Sequence, residues 1–215
     1  MEKQGQMESY RMIAAECCGE IVEKKSRFIA VLTPVKTQEE ALDFLDGIRK
    51  KYYDARHHCY AFITGINGEL ERWGDDGEPG GTAGRPMLDV LRGAELTNVA
   101  AVVTRYFGGT LLGTGGLARA YAQAVRQALE TCHIVTMRCG QRYVITADYG
   151  LTGKLQHLFA QRKVTIEETV YTDKVEFHIL APYHMQAGLR KEITELTGAK
   201  AGIEERESAW YADRG

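Results

Sequence analysis

The chain has 215 residues, of which 44% are hydrophobic and 26% charged, with a formal net charge of −2 at pH 7. That length suits one large domain or two small ones, and no segment approaches the ~20 apolar residues of a membrane span. Residues 1–140 carry 17 Lys+Arg against 18 Asp+Glu and residues 141–208 carry 9 against 10, so neither part is the basic block of a general nucleic-acid binder.

The opening Met1-Glu-Lys-Gln-Gly-Gln has no apolar stretch of the export type. Five cysteines (Cys17, Cys18, Cys59, Cys132 and Cys139) form an odd set without CxxC spacing, which fits reduced thiols and a cytoplasmic protein. Residues 20–24 and 27–33 read as paired strands. Thr37 opens a helix with Glu40 three residues on, a capping box, and Ala41, Phe44, Leu45 and Ile48 form its apolar stripe. Strands at 58–65 and 69–73 flank Ile66-Asn67-Gly68, an Asn-Gly hairpin signal. After the polar loop 74–84, Pro86 suits the first position of a helix carrying Met87, Leu88, Val90 and Leu91. The unbroken apolar run Val99-Ala-Ala-Val-Val103 reads as a strand buried on both faces, and an alanine-rich helix is expected over 115–132.

The rhythm then changes, and residues 138–141 read as a linker. Beyond it lie a strand at 142–149, a helix at 152–161, strands at 164–172 and 175–180, a helix ending before Gly198, and a strand at 199–205. In the strand at 164–172, Val164, Ile166 and Val170 are expected opposite Thr165, Glu167, Thr169 and Tyr171. The order β-α-β-β-α-β is the ferredoxin-like split motif. The fold class is α+β, with domains at 1–139 and 140–215.

Three constellations carry the chemistry. Between the apolar strand and the alanine-rich helix stand Arg105 and a loop containing Gly108, Gly109, Gly113, Thr114, Gly115 and Gly116. Strand, glycine loop and helix N-terminus present N–H groups and a dipole suited to an anion. Thr114 stands where a P-loop needs Lys, and no GxGxxG with an acidic partner occurs, so Walker and dinucleotide sites are excluded. Arg119 lies in the first helical turn, where a cation opposes the dipole unless an anion sits there. The alternative is that the glycines serve turns and close packing.

The second constellation is Asp75-Asp76-Gly77-Glu78, followed by Arg85. Its carboxylates suit acid–base or metal-assisted hydrolytic chemistry, or else cap residues 81–85 and pair with Arg85 and Arg105. The third is Arg56-His57-His58-Cys59-Tyr60. Strand neighbours on one face are too far apart for a Cys-His dyad, and zinc lacks further local ligands. A core histidine held by hydrogen bonds is the plainer fate, with His58 the better candidate for a functional imidazole.

The blocks Lys24-Lys-Ser-Arg-Phe-Ile29, Ala55-Arg-His-His-Cys-Tyr-Ala61, Asp75-Asp-Gly-Glu-Pro79 with Gly81-Thr-Ala-Gly-Arg-Pro86, and Val103-Thr-Arg-Tyr-Phe-Gly-Gly-Thr-Leu-Leu-Gly-Thr-Gly-Gly116 resemble, in order, the signatures of the YigZ/IMPACT family. The resemblance implies an N-terminal β-α-β sandwich of the ribosomal-protein and elongation-factor type with a left-handed crossover, and a C-terminal domain similar to one of elongation factor G. Eukaryotic members of that family regulate translation during amino-acid starvation, and the bacterial branch is associated with RNA or ribosome binding. The resemblance assigns no catalytic residue and no cofactor.

The expected function is therefore a translation-linked binding protein, not membrane-bound, that engages RNA, the ribosome or a ribosome-associated protein. Its anion site would comprise Arg105, residues 108–116, Arg119 and Arg85, with His58, Asp76 and Glu78 alongside, and a small anionic ligand also fits. Two alternatives stay open. One is a small-molecule or metal-assisted hydrolase using Asp75, Asp76, Glu78 and His58. The other is a protein-interaction module acting through the C-terminal sheet.

Overall fold

The computed structural model describes residues 9–213 and divides the chain into two compact units, residues 1–136 and 137–215. The opening Met1-Glu-Lys-Gln-Gly-Gln lies outside the described residues. The first unit runs β1 (Ser9–Ile13), β2 (Cys17–Glu23), β3 (Ser26–Pro34), α1 (Gln38–Lys51), β4 (His57–Thr64), β5 (Leu70–Gly74), α2 (Gly84–Gly93), β6 (Val99–Tyr106) and α3 (Thr114–Leu129). Its sheet has the order β2-β3-β6-β4-β5, with every neighbouring pair antiparallel.

The period of two in the central strands decides which helix covers which face. Phe28, Ala30 and Leu32 of β3, Cys59, Ala61 and Ile63 of β4, and Val99, Ala101 and Val103 of β6 pack in one core with α2 and α3. The alternate residues Ile29, Val31, Ala100, Val102 and Phe62 pack against Ala41, Leu45 and Ile48 of α1. Helices on both faces explain why β6 is apolar at every step from Val99 to Val103, since each face of the strand is out of water. At the start of α1, the Thr37 side chain accepts from the Glu40 N–H. The Glu40 carboxylate bonds the Lys36 N–H, so the box closes one residue earlier than the ideal pattern.

Two helices of the first unit differ from expectation in their bounds. Helix α2 begins at Gly84 rather than at Pro86. The Asp75 carboxylate accepts from the Ala83 and Gly84 N–H groups and so caps the helix from outside its own segment. Pro86 then sits third, still among the orphan donors of the first turn, and no hydrogen bond is lost. Helix α3 starts at Thr114 behind Gly113, whose φ of 74° requires glycine, and ends three residues before the expected Cys132.

Helix α3 lies close to β2. A Cβ on Gly19 would stand 2.4 Å from the Ala128 nitrogen, and the Thr131 hydroxyl donates to the Cys18 carbonyl at 2.9 Å. Beside this contact Cys17 and Cys132 form a disulfide, with Cα atoms 5.3 Å apart and 115 positions apart in sequence. The expectation that all five thiols are reduced is therefore corrected. The two cysteines lie far apart in sequence, so spacing alone gave no sign that the α3 docking brings them together.

Strand β7 (Ile134–Ala147) starts at the end of the first unit and continues into the second, which also contains α4 (Thr152–Gln161), β8 (Thr165–Tyr171), β9 (Val175–Pro182), α5 (Gln186–Thr197) and β10 (Gly202–Asp213). Strand β9 lies between β7 and β8, and β10 pairs with β7, the arrangement of a ferredoxin-like βαββαβ unit. Tyr143, Ile145, Phe177 and Ile179 from the sheet form one core with Leu155 and Phe159 of α4 and Leu189 and Ile193 of α5. Gly198, at φ 58°, terminates α5 in the left-handed region.

Residues 138–141 are not a linker but the middle of β7. Gly140 serves close packing there, since its Cβ would lie 2.9 Å from the Leu180 side chain and 3.0 Å from the Ala181 carbonyl. The expected faces of β8 are also corrected. A bulge between Ile166 and Glu168 shifts the register, so Ile166 pairs with core Ile179 whereas Val170 pairs with Glu176. One extra residue moves everything beyond it to the other face.

Gly19→Ala should lower stability by about 1–3 kcal/mol through overpacking of α3 on β2; a thermal midpoint equal to that of the unmutated chain would refute the close contact. Reductant should lower the same midpoint, and Cys17→Ser should remove that sensitivity.

Candidate functional site

The three carboxylates of the acidic loop go to three different places. Asp75 accepts from the N–H groups of Gly81 at 2.8 Å, Ala83 at 3.0 Å and Gly84 at 2.9 Å. Asp76, in the left-handed region at φ 44°, accepts from the His58 N–H at 2.7 Å and from Arg49 at 3.1 Å, and its carbonyl lies 2.8 Å from His57 Nδ1. Glu78 turns inward. Its Oε1 accepts from Arg105 Nη1 at 2.6 Å and from the Tyr121 hydroxyl at 2.8 Å. The capping alternative thus holds for Asp75 and the pairing with Arg105 for Glu78, while Arg85 pairs with Asp89 of its own helix.

The Glu78–Arg105 ion pair is buried, with side chains 4% and 7% exposed. The Arg105 guanidinium lies 5.4 Å from the Phe28 ring centroid and 5.5 Å from that of Phe107, and Phe28 meets Tyr121 edge-on at 5.1 Å. Ser26 Oγ is 3.5 Å from Arg105 Nη2 and accepts from the Gly108 N–H at 3.1 Å. Arg105 is therefore not a solvent-facing anion donor as expected, because its charge is consumed by Glu78. The group joins five segments: β3, the acidic loop, β6, the glycine loop and α3.

Burial pushes the Cys59 thiol far above its ordinary range, and the neighbouring carboxylates push it further. The thiol donates to the Asp75 carbonyl at 3.0 Å, so no thiolate nucleophile is available here. Burial likewise raises the Tyr121 phenol strongly and keeps it a neutral donor to Glu78. His58 is buried, with Nε2 3.1 Å from the Tyr52 carbonyl and Nδ1 3.8 Å from Asp76. Its expected candidacy as a working imidazole gives way to the plainer reading of a histidine held in place. Among the described residues no group of three His, Cys, Asp or Glu side chains is arranged to hold a metal ion. The arrangement ties several segments together, and each of the three carboxylates accepts bonds from protein donors.

The glycine loop is open and contains both kinds of glycine. A Cβ on Gly108 would fall 2.0 Å from the Lys25 carbonyl carbon, so this glycine lets the loop seat on the Lys24-Lys25 turn. Gly109 has φ 83° and Gly113 φ 74°, turn conformations that L side chains resist. Gly116 faces Leu112, 3.0 Å from its would-be Cβ. Thr114, Gly115 and Arg119 are exposed, and α3 has no side-chain cap. Arg119 runs back towards the helix start, with Nη1 3.6 Å from the place of a Cβ on Gly115. It has no ion-pair or hydrogen-bond partner among the described residues. Phe107 and Leu111 of the same loop are 52% and 83% exposed, and Lys24 and Lys25 are exposed on the turn that seats Gly108.

Sequence reasoning brought the right segments together but missed Tyr121 and Ser26. Tyr121 reads as one more apolar position of α3, and only a hydroxyl on an otherwise apolar helix face hints at a buried partner.

A sheet clad on both faces, a buried ion pair beneath an open glycine loop, and an appended βαββαβ unit define a two-unit α+β protein with its buried charged cluster inside the first unit. The Impact N-terminal domain model matches residues 24–129, and a domain of unknown function matches residues 145–200. The chain is 40% identical to the IMPACT family member YvyE of Bacillus subtilis over 188 residues, covering 87% of each. It is 38% identical to the IMPACT family member YigZ of Escherichia coli, covering 82% of this chain and 87% of that one. A solved structure described as a hypothetical protein aligns with a TM-score of 0.62 at 33% identity, over 94% of this chain and 99% of that one. The chain belongs to the IMPACT family.

Glu78→Gln should cost about 3–5 kcal/mol in urea unfolding, because it leaves the buried Arg105 charge unpaired. Combining it with Arg105→Met should restore part of that loss; equal stabilities of all three proteins would refute a buried pair.

Proposed function

We propose that the chain is a translation-linked binding protein whose first unit contacts RNA through the loop at 107–116 and the start of α3. The observation that carries this reading is Arg119. An exposed guanidinium at the positive end of a helix, without a carboxylate partner among the described residues, is unfavourable by itself. A phosphate would remove that penalty and accept from the open N–H groups of the first turn. Lys24 and Lys25 stand on the turn that seats Gly108, which extends the positive surface along a strand of phosphates. Phe107 offers the exposed part of its ring for stacking against a base.

The expected site thus shrinks at one end. Arg85, Arg105, His58, Asp76 and Glu78 hold the scaffold, and residues 108–116 with Arg119 meet the ligand. A hydrolase using the acidic loop is disfavoured by the same geometry, since Asp75, Asp76 and Glu78 each already accept bonds from protein donors. A role in translation goes with a cytoplasmic location. The modest patch also explains how a chain of net charge −2 can bind RNA: a few local contacts suffice, at the cost of strong salt dependence.

Fluorescence anisotropy with a labelled single-stranded RNA should give a log–log salt slope of about −2 for three phosphate contacts. Arg119→Glu should weaken binding at least tenfold at low salt and flatten the slope by about 0.7. A slope near zero, or an unchanged affinity for the variant, sinks the reading.

A further inference from the structure

The second unit contains a cavity of about 790 Å³ lined by residues from β7, the end of α4, β8, β9, the turn before α5, and β10. That volume lies within the range of small-molecule sites. Its charge differs from that of the other large concavities. The cavity of about 420 Å³ in the first unit sets Arg11 against Glu95 and Arg92 against Glu71. The concavity of about 620 Å³ over the second sheet carries Glu167, Glu168 and Glu207 against Arg142 and Arg206.

In the larger cavity both carboxylates are already occupied. Glu167 receives both its bonds from Arg142, at 2.8 and 3.0 Å, and Asp213 lies 2.5 Å from Arg138. Arg162 is likewise held by Glu192. What is left uncompensated is Lys163, which has no partner among the described residues, joined by the His184 imidazole, which has none either. Lys163 holds a left-handed backbone at φ 54°, just past the end of α4. Apart from Gln161 and Thr165, the remaining lining is apolar or aromatic and includes Leu180, Pro182, Met185 and Tyr211.

An unpaired ammonium and an imidazole in a cavity that also offers apolar and aromatic side chains fit a ligand with an anionic end and a planar body. We propose that this cavity binds a nucleoside monophosphate group, its phosphate on Lys163 and His184 and its base against Tyr211 and Leu180. The group could be supplied as a free nucleotide or as the phosphorylated end of an RNA strand. The site lies wholly in the second unit and is independent of the Arg119 loop.

The test is calorimetry on the full chain with adenosine monophosphate, adenosine, inorganic phosphate, and short oligoribonucleotides with and without a 5′-phosphate. Adenosine monophosphate should bind at least tenfold more tightly than adenosine. Preference for the 5′-phosphorylated strand over the free nucleotide assigns the ligand to a strand end, and the reverse to the free pool. Lys163→Asn removes the charge while tolerating the left-handed backbone, and it should weaken the nucleotide at least fivefold with an unchanged thermal midpoint. His184→Ala should weaken it further. Arg119→Glu should leave nucleotide binding intact even where it abolishes binding of unphosphorylated RNA, which separates the two sites. No heat with millimolar adenosine monophosphate, equal binding of adenosine, or indifference to both substitutions would overturn the proposal.

Discussion

The first unit is organised around one buried ion pair. Glu78 and Arg105 face each other at 2.6 Å with almost no access to water, a placement that is expensive unless both groups are otherwise satisfied. Tyr121 supplies the second bond to Glu78, and the rings of Phe28 and Phe107 accompany the guanidinium. Because these residues come from β3, the acidic loop, β6, the glycine loop and α3, the pair is satisfied only when all of those segments are in place. The acidic loop contributes twice, since Asp75 fixes the start of α2 while Glu78 reaches the centre. Buried polarity of this sort contributes less to net stability than to selecting one arrangement over near alternatives.

This centre separates structure from ligand contact. Residues of similar chemistry, three carboxylates and three arginines, lie in the same stretch of the fold, yet only the partners decide their roles. Arg105 and Glu78 neutralise each other, Arg85 is paired on its own helix, and Asp76 holds the His58 backbone. Arg119 is left at the surface at the mouth of an uncapped helix. The free positive charge is therefore smaller than the motif that surrounds it, and most of that motif's charged groups are spent on partners within the fold.

Much of the fold was legible because its signals are local. Thr37 with Glu40, Asn67-Gly68 and Gly198 act within a few residues of themselves, and the strand and helix periods need nothing from elsewhere. The candidate site was legible only as a set of segments. Asp75, Asp76 and Glu78 are chemically alike, and what sets Glu78 apart are partners 27 and 43 positions away. Gly140 shows the same difficulty in backbone form. A glycine between two rhythms suggests a linker, but here the cause is a neighbouring strand pressed against it. The bulge in β8 follows from pairing with β9 rather than from its own composition, so the alternation of Ile166 and Val170 misled.

The bridge between Cys17 and Cys132 has a topological consequence. It joins the first strand of the five-stranded sheet to the end of α3, so the oxidised chain between those points is a covalent ring that encloses every element of that sheet. A single cut by a protease in an exposed stretch of that ring, such as the loop around Leu111, opens the ring without releasing a piece. The nicked protein would keep its mass until a reductant divides it into two chains.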